Sequence, residues 1–295
     1  MIGVVGPSSS AEAVALRPIA ESLKVPTMAI AASNAIIADG PSYMFEEFPA
    51  SVDSLTAQLA YAGAHGLEKV AMIYSDNGYG QEPAAALDEL AEEQGLQVTG
   101  SAAFPPAATD VTAQLSAVAA GDPDVILVWA VNPANAIVAK NAQALSLDAV
   151  VFQAPGAASA AYLQLGGAAA GSALVQASKV LVPDSIPEDD PQHDVVTGFA
   201  EAYQAEYGSP ASQFGGGAFD AALLMATALE KGDVDPCAAL QTGRDALHDA
   251  LQTNIEAVPG TIAVYTFDED QHGPSGIEGL AVLEVQGGRF TLASG

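Results

Sequence analysis

The sequence predicts an α/β fold, and three observations carry that prediction. Apolar runs of strand length alternate with longer segments of helical period through most of the first 180 residues. Those strands are continuously apolar, as strands covered on both faces of a parallel sheet are. The chain has 295 residues, half of them hydrophobic and only 15% charged, enough for two ordinary domains with a core in each.

Each element has its own signal. Ile2–Val5 is an apolar run closed by Gly6-Pro7, and Leu16, Ile19, Ala20 and Leu23 then recur at helical spacing over 9–23. Ser9 with Glu12 forms a capping-box pattern at that helix start. Val25–Ile30 is a second strand, followed by the loop Ala31-Ala32-Ser33-Asn34. A second series has strands at 69–74, 97–104, 125–131 and 150–153, with helices at 78–94, 111–120 and 133–145 between them. The last of these helices opens with proline, as first turns often do. From Pro191 the pattern changes to three successive helices, at 195–207, 214–231 and 237–252. Strand-like runs at 262–267 and 280–285 close the chain, with a turn at 268–273 between them. Two series of βα units with such an ending suit two sheets joined by several crossings.

Charge and cysteine narrow the function classes. Thirty-six acidic residues against 8 basic ones give a net charge of −28, which excludes nucleic acid and anionic membrane surfaces as default partners. The acids are spread along the chain, so they describe a self-repelling surface of the kind that salt screens and identify no cationic substrate. Cys237 is the only cysteine, so no intrachain disulfide or thiolate cluster can form. No apolar run approaches the roughly 18 residues of a membrane helix. Met1–Ser8 has no basic region or cleavage pattern and reads as a strand inside a domain, not a signal peptide.

In open α/β sheets ligands bind beyond the carboxyl ends of strands, where helix N-termini offer N–H groups. Four strand-to-helix turns stand out: Gly6-Pro7-Ser8-Ser9-Ser10, Ala31-Ala32-Ser33-Asn34, Tyr74-Ser-Asp-Asn-Gly-Tyr79-Gly80 and Trp129-Ala-Val-Asn132-Pro133. Each has a plainer reading: capping for the serines, an ordinary polar turn for the second, core packing for Trp129. Together they form a polar, aromatic-lined set of the kind a buried small-molecule site requires. Hydroxyls and N–H groups would suit a carboxylate, and aromatic faces an apolar body.

A collinear series of short matches then resembles a known family. It runs through Val4-Val-Gly-Pro-Ser-Ser-Ser10, Pro18-Ile-Ala-Glu21, Ala32-Ser-Asn34, Lys69-Val-Ala-Met-Ile-Tyr74, Tyr79-Gly80-Gln81, Phe104-Pro105, Pro123-Asp-Val-Ile126, Tyr207-Gly208, Ala218-Phe-Asp-Ala221 and Phe267-Asp268. The chain resembles the type I periplasmic substrate-binding proteins that deliver branched-chain amino acids, amides or aromatic acids to ABC importers. The resemblance implies two doubly wound parallel-sheet lobes joined by three crossings and closing on a solute. Lobe 1 would hold 1–48 plus 180–275, and lobe 2 would hold 49–179 plus 276–295. The implied solute contacts are Ser8, Ser9, Ser10, Ala31 with Ser33, Tyr79, and Trp129 or Asn132; the Ser8–Ser10 and Ser33 groups would hold a carboxylate, and Tyr79 and Trp129 would close over the solute. No cofactor or metal is implied. The implied partners are a small solute and ABC permease subunits, and the implied form is a monomer, periplasmic or extracellular, free or lipid-anchored.

Two departures from the family pattern matter. Amino-acid binders of the family carry an acidic residue near Val151-Phe-Gln-Ala-Pro155-Gly156 to pair with the solute ammonium; Pro155 stands there, with Asp76 as a substitute. A solute without an α-ammonium thereby becomes as good a candidate as an amino acid. The family also begins with further strand and helix elements before the position of Met1, so lobe 1 is expected to lack its initial βαβ portion, where any export signal would lie.

Two rivals belong to other classes. An enzyme would need a catalytic constellation, and His65, His193, His248 and His272 lie far apart with no metal-ligand spacing. His193 lies in an acidic loop read as solvated, and Gly215-Gly-Gly217 reads as a bend before a helix at Ala218, with no strand ahead of it for a phosphate fingerprint. A ligand-sensing module of a receptor or regulator would use the same fold and motifs.

Overall fold

The computed structural model describes residues 1–38, 42–235, 237–277 and 279–293. Contacts divide the chain into two compact units, Met1–Ala50 with Ile186–Gly279 and Ser51–Ser185 with Leu280–Gly295. The second boundary falls at 185/186, beyond the expected 180, because Leu181 and Val182 pack among Val175, Ala177 and Leu283.

The first unit holds a three-stranded parallel sheet of β1 (Val4–Val5), β2 (Thr27–Ala29) and β3 (Met44–Glu46). Its strand side chains alternate between two cores. Ala29 and Met44 face α1 (Ser10–Leu23) and the single turn α2 (Asn34–Ile37), meeting Ala13, Ala20 and Ile36. Met28 and Phe45 face Leu224, Met225, Leu247 and Leu251 of two helices that follow α8 (His193–Tyr207), namely α9 (Gln213–Lys231) and α10 (Leu240–Asn254). The short antiparallel pair β9 (Val258–Pro259) and β10 (Val264–Tyr265) contributes Val258 and Tyr265 to the same core.

The second unit is built on seven strands in the order β12-β11-β8-β7-β6-β4-β5. β4 (Lys69–Ser75), β5 (Gln97–Phe104), β6 (Val125–Trp129), β7 (Val150–Gln153) and β8 (Ala173–Ser178) are parallel. The sheet is not wholly parallel as expected: β11 (Leu280–Gln286) runs antiparallel to β8 and turns back into β12 (Arg289–Leu292). Gly287 and Gly288, both at positive φ, make that turn, a conformation glycine adopts without steric cost. Ile73, Ile126 and Val128 pack toward Leu115 of α5 (Thr112–Ala119) and Val138 of α6 (Ala134–Ala144). On the other face Met72, Leu127 and Phe152 meet Leu55 and Leu59 of α3 (Ser51–Ala64) and Leu87 of α4 (Gly78–Glu93). A last helix, α7 (Ala160–Gly166), adds Tyr162 to a smaller cluster beside β8 and β11.

Several local expectations change. The strand expected at 262–267 is only Val264–Tyr265. Ser9 is the N-cap of α1, yet its side chain makes no capping bond, so the Ser9–Glu12 pattern does not operate as a capping box. Gly215–Gly217 is not a bend before a helix at Ala218: α9 begins at Gln213, with Ser212 Oγ accepting from Gly215 N–H at 2.9 Å. Those glycines serve close approach instead. A Cβ at Gly216 would lie 2.6 Å from Thr261 Oγ1, and one at Gly217 would lie 2.8 Å from Glu47 Oε1.

Candidate ligand-binding loops

In the first unit, the loops after β1 and β2 are tied to each other. Ile30 N–H donates to Pro7 O at 2.9 Å, and the Ser10 hydroxyl donates to Ala32 O at 3.0 Å. Ser8 is exposed and Ser9 half-buried, while Ala31 packs in the core beneath the loop. Ser33 is buried at the start of α2, and its N–H donates to Glu46 Oε1 at 2.5 Å. The backbone donor expected to face a ligand carboxylate is thus held by a carboxylate of the chain itself.

In the second unit, three strand-end loops converge. Asn77 Oδ1 accepts from Gly80 N–H at 3.2 Å and opens α4, setting Tyr79 in its first turn. The Tyr79 hydroxyl accepts from Gly156 N–H at 3.0 Å, joining the loop after β4 to the loop after β7. A Cβ at Gly156 would lie 2.5 Å from Ala130 O and 3.3 Å from the Tyr79 hydroxyl, so only glycine lets this turn approach the Ala130 backbone and the Tyr79 side chain so closely. Asn132, in the loop after β6, donates its Nδ2 to Ser159 Oγ at 2.8 Å. Ser159 Oγ in turn accepts from Tyr162 N–H at 3.2 Å, capping α7. Asn132 Oδ1 is enclosed with no hydrogen-bond partner among the described residues.

Trp129 is placed differently from the expectation that it covers a solute. It is fully buried, and its Nε1 donates to Gln58 Oε1 at 2.9 Å. Its ring lies under Tyr79, with centroids 5.2 Å apart and planes tilted by 49°. Trp129 therefore supports the aromatic side chain that lines the loops and does not line them itself. Burial raises the Tyr79 hydroxyl well above the ordinary phenol range, opposed only in part by the Gly156 N–H. The group acts as a neutral donor and acceptor.

Tyr79→Phe would leave the Gly156 N–H without its acceptor. A buried amide so orphaned costs about 1–3 kcal/mol, so the variant is expected to melt several degrees lower with its secondary structure intact. An unchanged thermal midpoint would show that the loop after β7 does not depend on Tyr79.

Comparison with known proteins decides the family. Residues 1–289 match the family described as periplasmic binding protein. The chain belongs to this family. Its members are binding proteins and not enzymes, in line with the reading of the sequence. No curated protein sequence matches significantly. Among solved structures, the chain is similar to an extracellular ligand-binding receptor from Rhodopseudomonas palustris HaA2, at TM-score 0.90 and 22% identity, covering 99% of this chain and 82% of that one. It is also similar to a leucine-binding protein from Thermotoga maritima, at TM-score 0.85 and 19% identity, covering 100% and 79%. A third similar structure is a putative branched-chain amino acid ABC transporter protein from Rhodospirillum rubrum, at TM-score 0.74 and 22% identity, covering 99% and 80%. At such identities the likeness establishes the type I fold and no ligand.

Within this binding protein, Pro155 begins the 3-10 turn 155–157 that presents Gly156 to Tyr79. Asp76 is exposed and accepts from Gln81 Nε2 at 2.6 Å. Gly156, Ser159, Gln58 and Glu46 were not singled out from the sequence. Ser159 alone had a usable signal there, a serine directly ahead of an Ala-Ala-Tyr-Leu run of helix formers. The acidic loop around His193 is engaged locally, His193 Nδ1 lying 3.0 Å from the exposed Asp194 carboxylate.

Proposed function

We propose that this chain is an extracytoplasmic solute-binding protein that captures a small carboxylate-bearing solute by lobe closure and delivers it to an ABC importer. The solute class is a branched-chain amino acid, an amide or an aromatic acid. Family membership supports the binding role, and similarity to a leucine-binding protein and to a putative branched-chain amino acid ABC transporter protein favours this solute class. The observation that carries the reading is the convergence of Tyr79, Gly156, Asn132 and Ser159 at the carboxyl ends of β4, β6 and β7. Strand ends of an open parallel sheet are where such folds hold ligands.

Solute contacts come from the Ser8–Ser10 and Ala31–Ser33 loops on one lobe and from Tyr79 and Asn132 on the other. Each neutral hydrogen bond contributes about 1 kcal/mol net. The solute shifts an open–closed equilibrium only by its differential affinity for the closed form. The partners are ABC permease subunits, and the binding protein acts as a monomer in the periplasm or outside the cell.

A thermal-shift screen over amino acids, amides and aromatic carboxylates tests this. A solute at 100 times its Kd adds about 2.7 kcal/mol of apparent stability, which is readily seen as a raised midpoint. Trp129, lying against Tyr79, reports the same event by fluorescence. No shift and no fluorescence change across all three classes would overturn the proposed solute class.

A further inference from the structure

We propose that Glu47 forms a proton-loaded latch in the first unit, keeping α9 and the segment 258–265 packed against β3 while protonated and loosening them as the proton leaves. Tyr265 and Asp220 tie the segment to its neighbours. Tyr265 Oη lies 2.9 Å from the Glu47 backbone oxygen and 2.8 Å from Asp220 Oδ2. A carbonyl oxygen can only accept, and the hydroxyl has a single proton. The hydroxyl proton points between these two acceptors, so Tyr265 joins the Glu47 backbone to the Asp220 carboxyl. Asp220 also accepts from two backbone groups of the pinned segment, Thr261 N–H at 2.7 Å and Ile262 N–H at 2.8 Å.

The Glu47 carboxyl is the group that requires a proton. It is fully buried, and neither oxygen has a hydrogen-bond partner among the described residues. It packs on bare backbone, since a Cβ at Gly217 would come within 2.8 Å and 3.0 Å of its two oxygens. The charged groups acting on it are Asp220 from α9 and Glu46 from β3, both acidic, while Tyr265 faces the pair from β10. An anion there would have neither solvent, donor nor counter-charge, so the group is held as the neutral acid. Burial, then the Asp220 and Glu46 charges, push Glu47 well above the carboxylate range. Burial lifts Asp220 to about 6, against the pull of its donors.

The sign follows from linkage. Both groups bind protons more tightly folded than unfolded, so their contribution is complete below the ordinary carboxylate range and is lost as pH rises. Asp220 gives up its share by about pH 6, and Glu47 gives up its share on the alkaline side.

Carboxyl-carbon NMR of the whole chain from pH 5 to 9 tests the latch, with hydrogen-exchange protection of the Thr261 and Ile262 amides read in parallel. High salt screens the net charge of −28. The Glu47 resonance is expected at its protonated position at pH 7, with both protection factors falling by up to about tenfold per pH unit above neutrality, the slope for one released proton. Glu47→Gln, which holds the shape and has no proton to lose, should flatten that slope. An ionised Glu47 at pH 7 would overturn the proposal, and so would protection that does not change with pH. If the variant does not fold, the wild-type titration alone decides.

Discussion

Asp220→Ala is expected to destabilise the first unit by about 2–4 kcal/mol at pH 7, chiefly because two buried backbone N–H groups lose their acceptor. Thr261 N–H, Ile262 N–H and the Tyr265 hydroxyl all end on this carboxyl, and none has room to turn to water. Removing a carboxyl that burial already disfavours offsets part of the loss, but the two orphaned amides outweigh it, while Tyr265 keeps the Glu47 backbone oxygen as acceptor. Asp220→Asn retains an acceptor oxygen at the same place and is expected to cost about 1–2 kcal/mol. Urea denaturation followed by far-UV circular dichroism separates the two. A loss under about 1 kcal/mol for the alanine variant would show that the segment 258–265 is held by its apolar contacts alone.

Trp129→Ala should cost the second unit about 3–5 kcal/mol, the range for emptying a large aromatic side chain from a packed core. Trp129 is the largest fully buried side chain, set among Leu55, Met72, Leu87 and Phe152. The variant also takes the Nε1 donor from Gln58, whose own Nε2 reaches Phe152 O at 3.4 Å from within the same core. Trp129→Phe preserves most of the volume and isolates the hydrogen bond, at about 1–2 kcal/mol. Because the ring underlies Tyr79, solute affinity is expected to fall in the alanine variant more than in the phenylalanine one. Equal affinity in both would mean that Tyr79 keeps its place without the ring beneath it.

Strong local signals made much of the second unit legible. Val125–Trp129 is five consecutive apolar residues, and the structure buries all five in the middle of the sheet. The helices at 78–93 and 134–144 announce themselves by apolar spacing and by Asn77 or Pro133 at their starts. β3 was invisible for the opposite reason. Met44–Glu46 is three residues long and is followed by a second glutamate, a composition that reads as surface until Ser33 and the α9 glycines are brought against it. Helix α3 was missed likewise, because Ser51, Ser54 and Gln58 look solvent-facing and are all buried. The short strand β8 was hidden in an alanine- and glycine-rich stretch that lacks a clear period.

The sequence by itself determined the α/β class, the binding-protein family, and which turns carry hydroxyl and aromatic residues at strand ends. Those properties depend on local periodicity and on motifs a few residues long. Only the tertiary structure decided what those residues do. It turned Trp129 inward to Gln58, set Glu46 on the Ser33 N–H, joined Tyr79 to Gly156 across 77 positions, and enclosed Glu47 beside Asp220. A side chain's role follows from which donors, acceptors and charges surround it once water is gone. In this chain those neighbours come from elements far apart in the sequence.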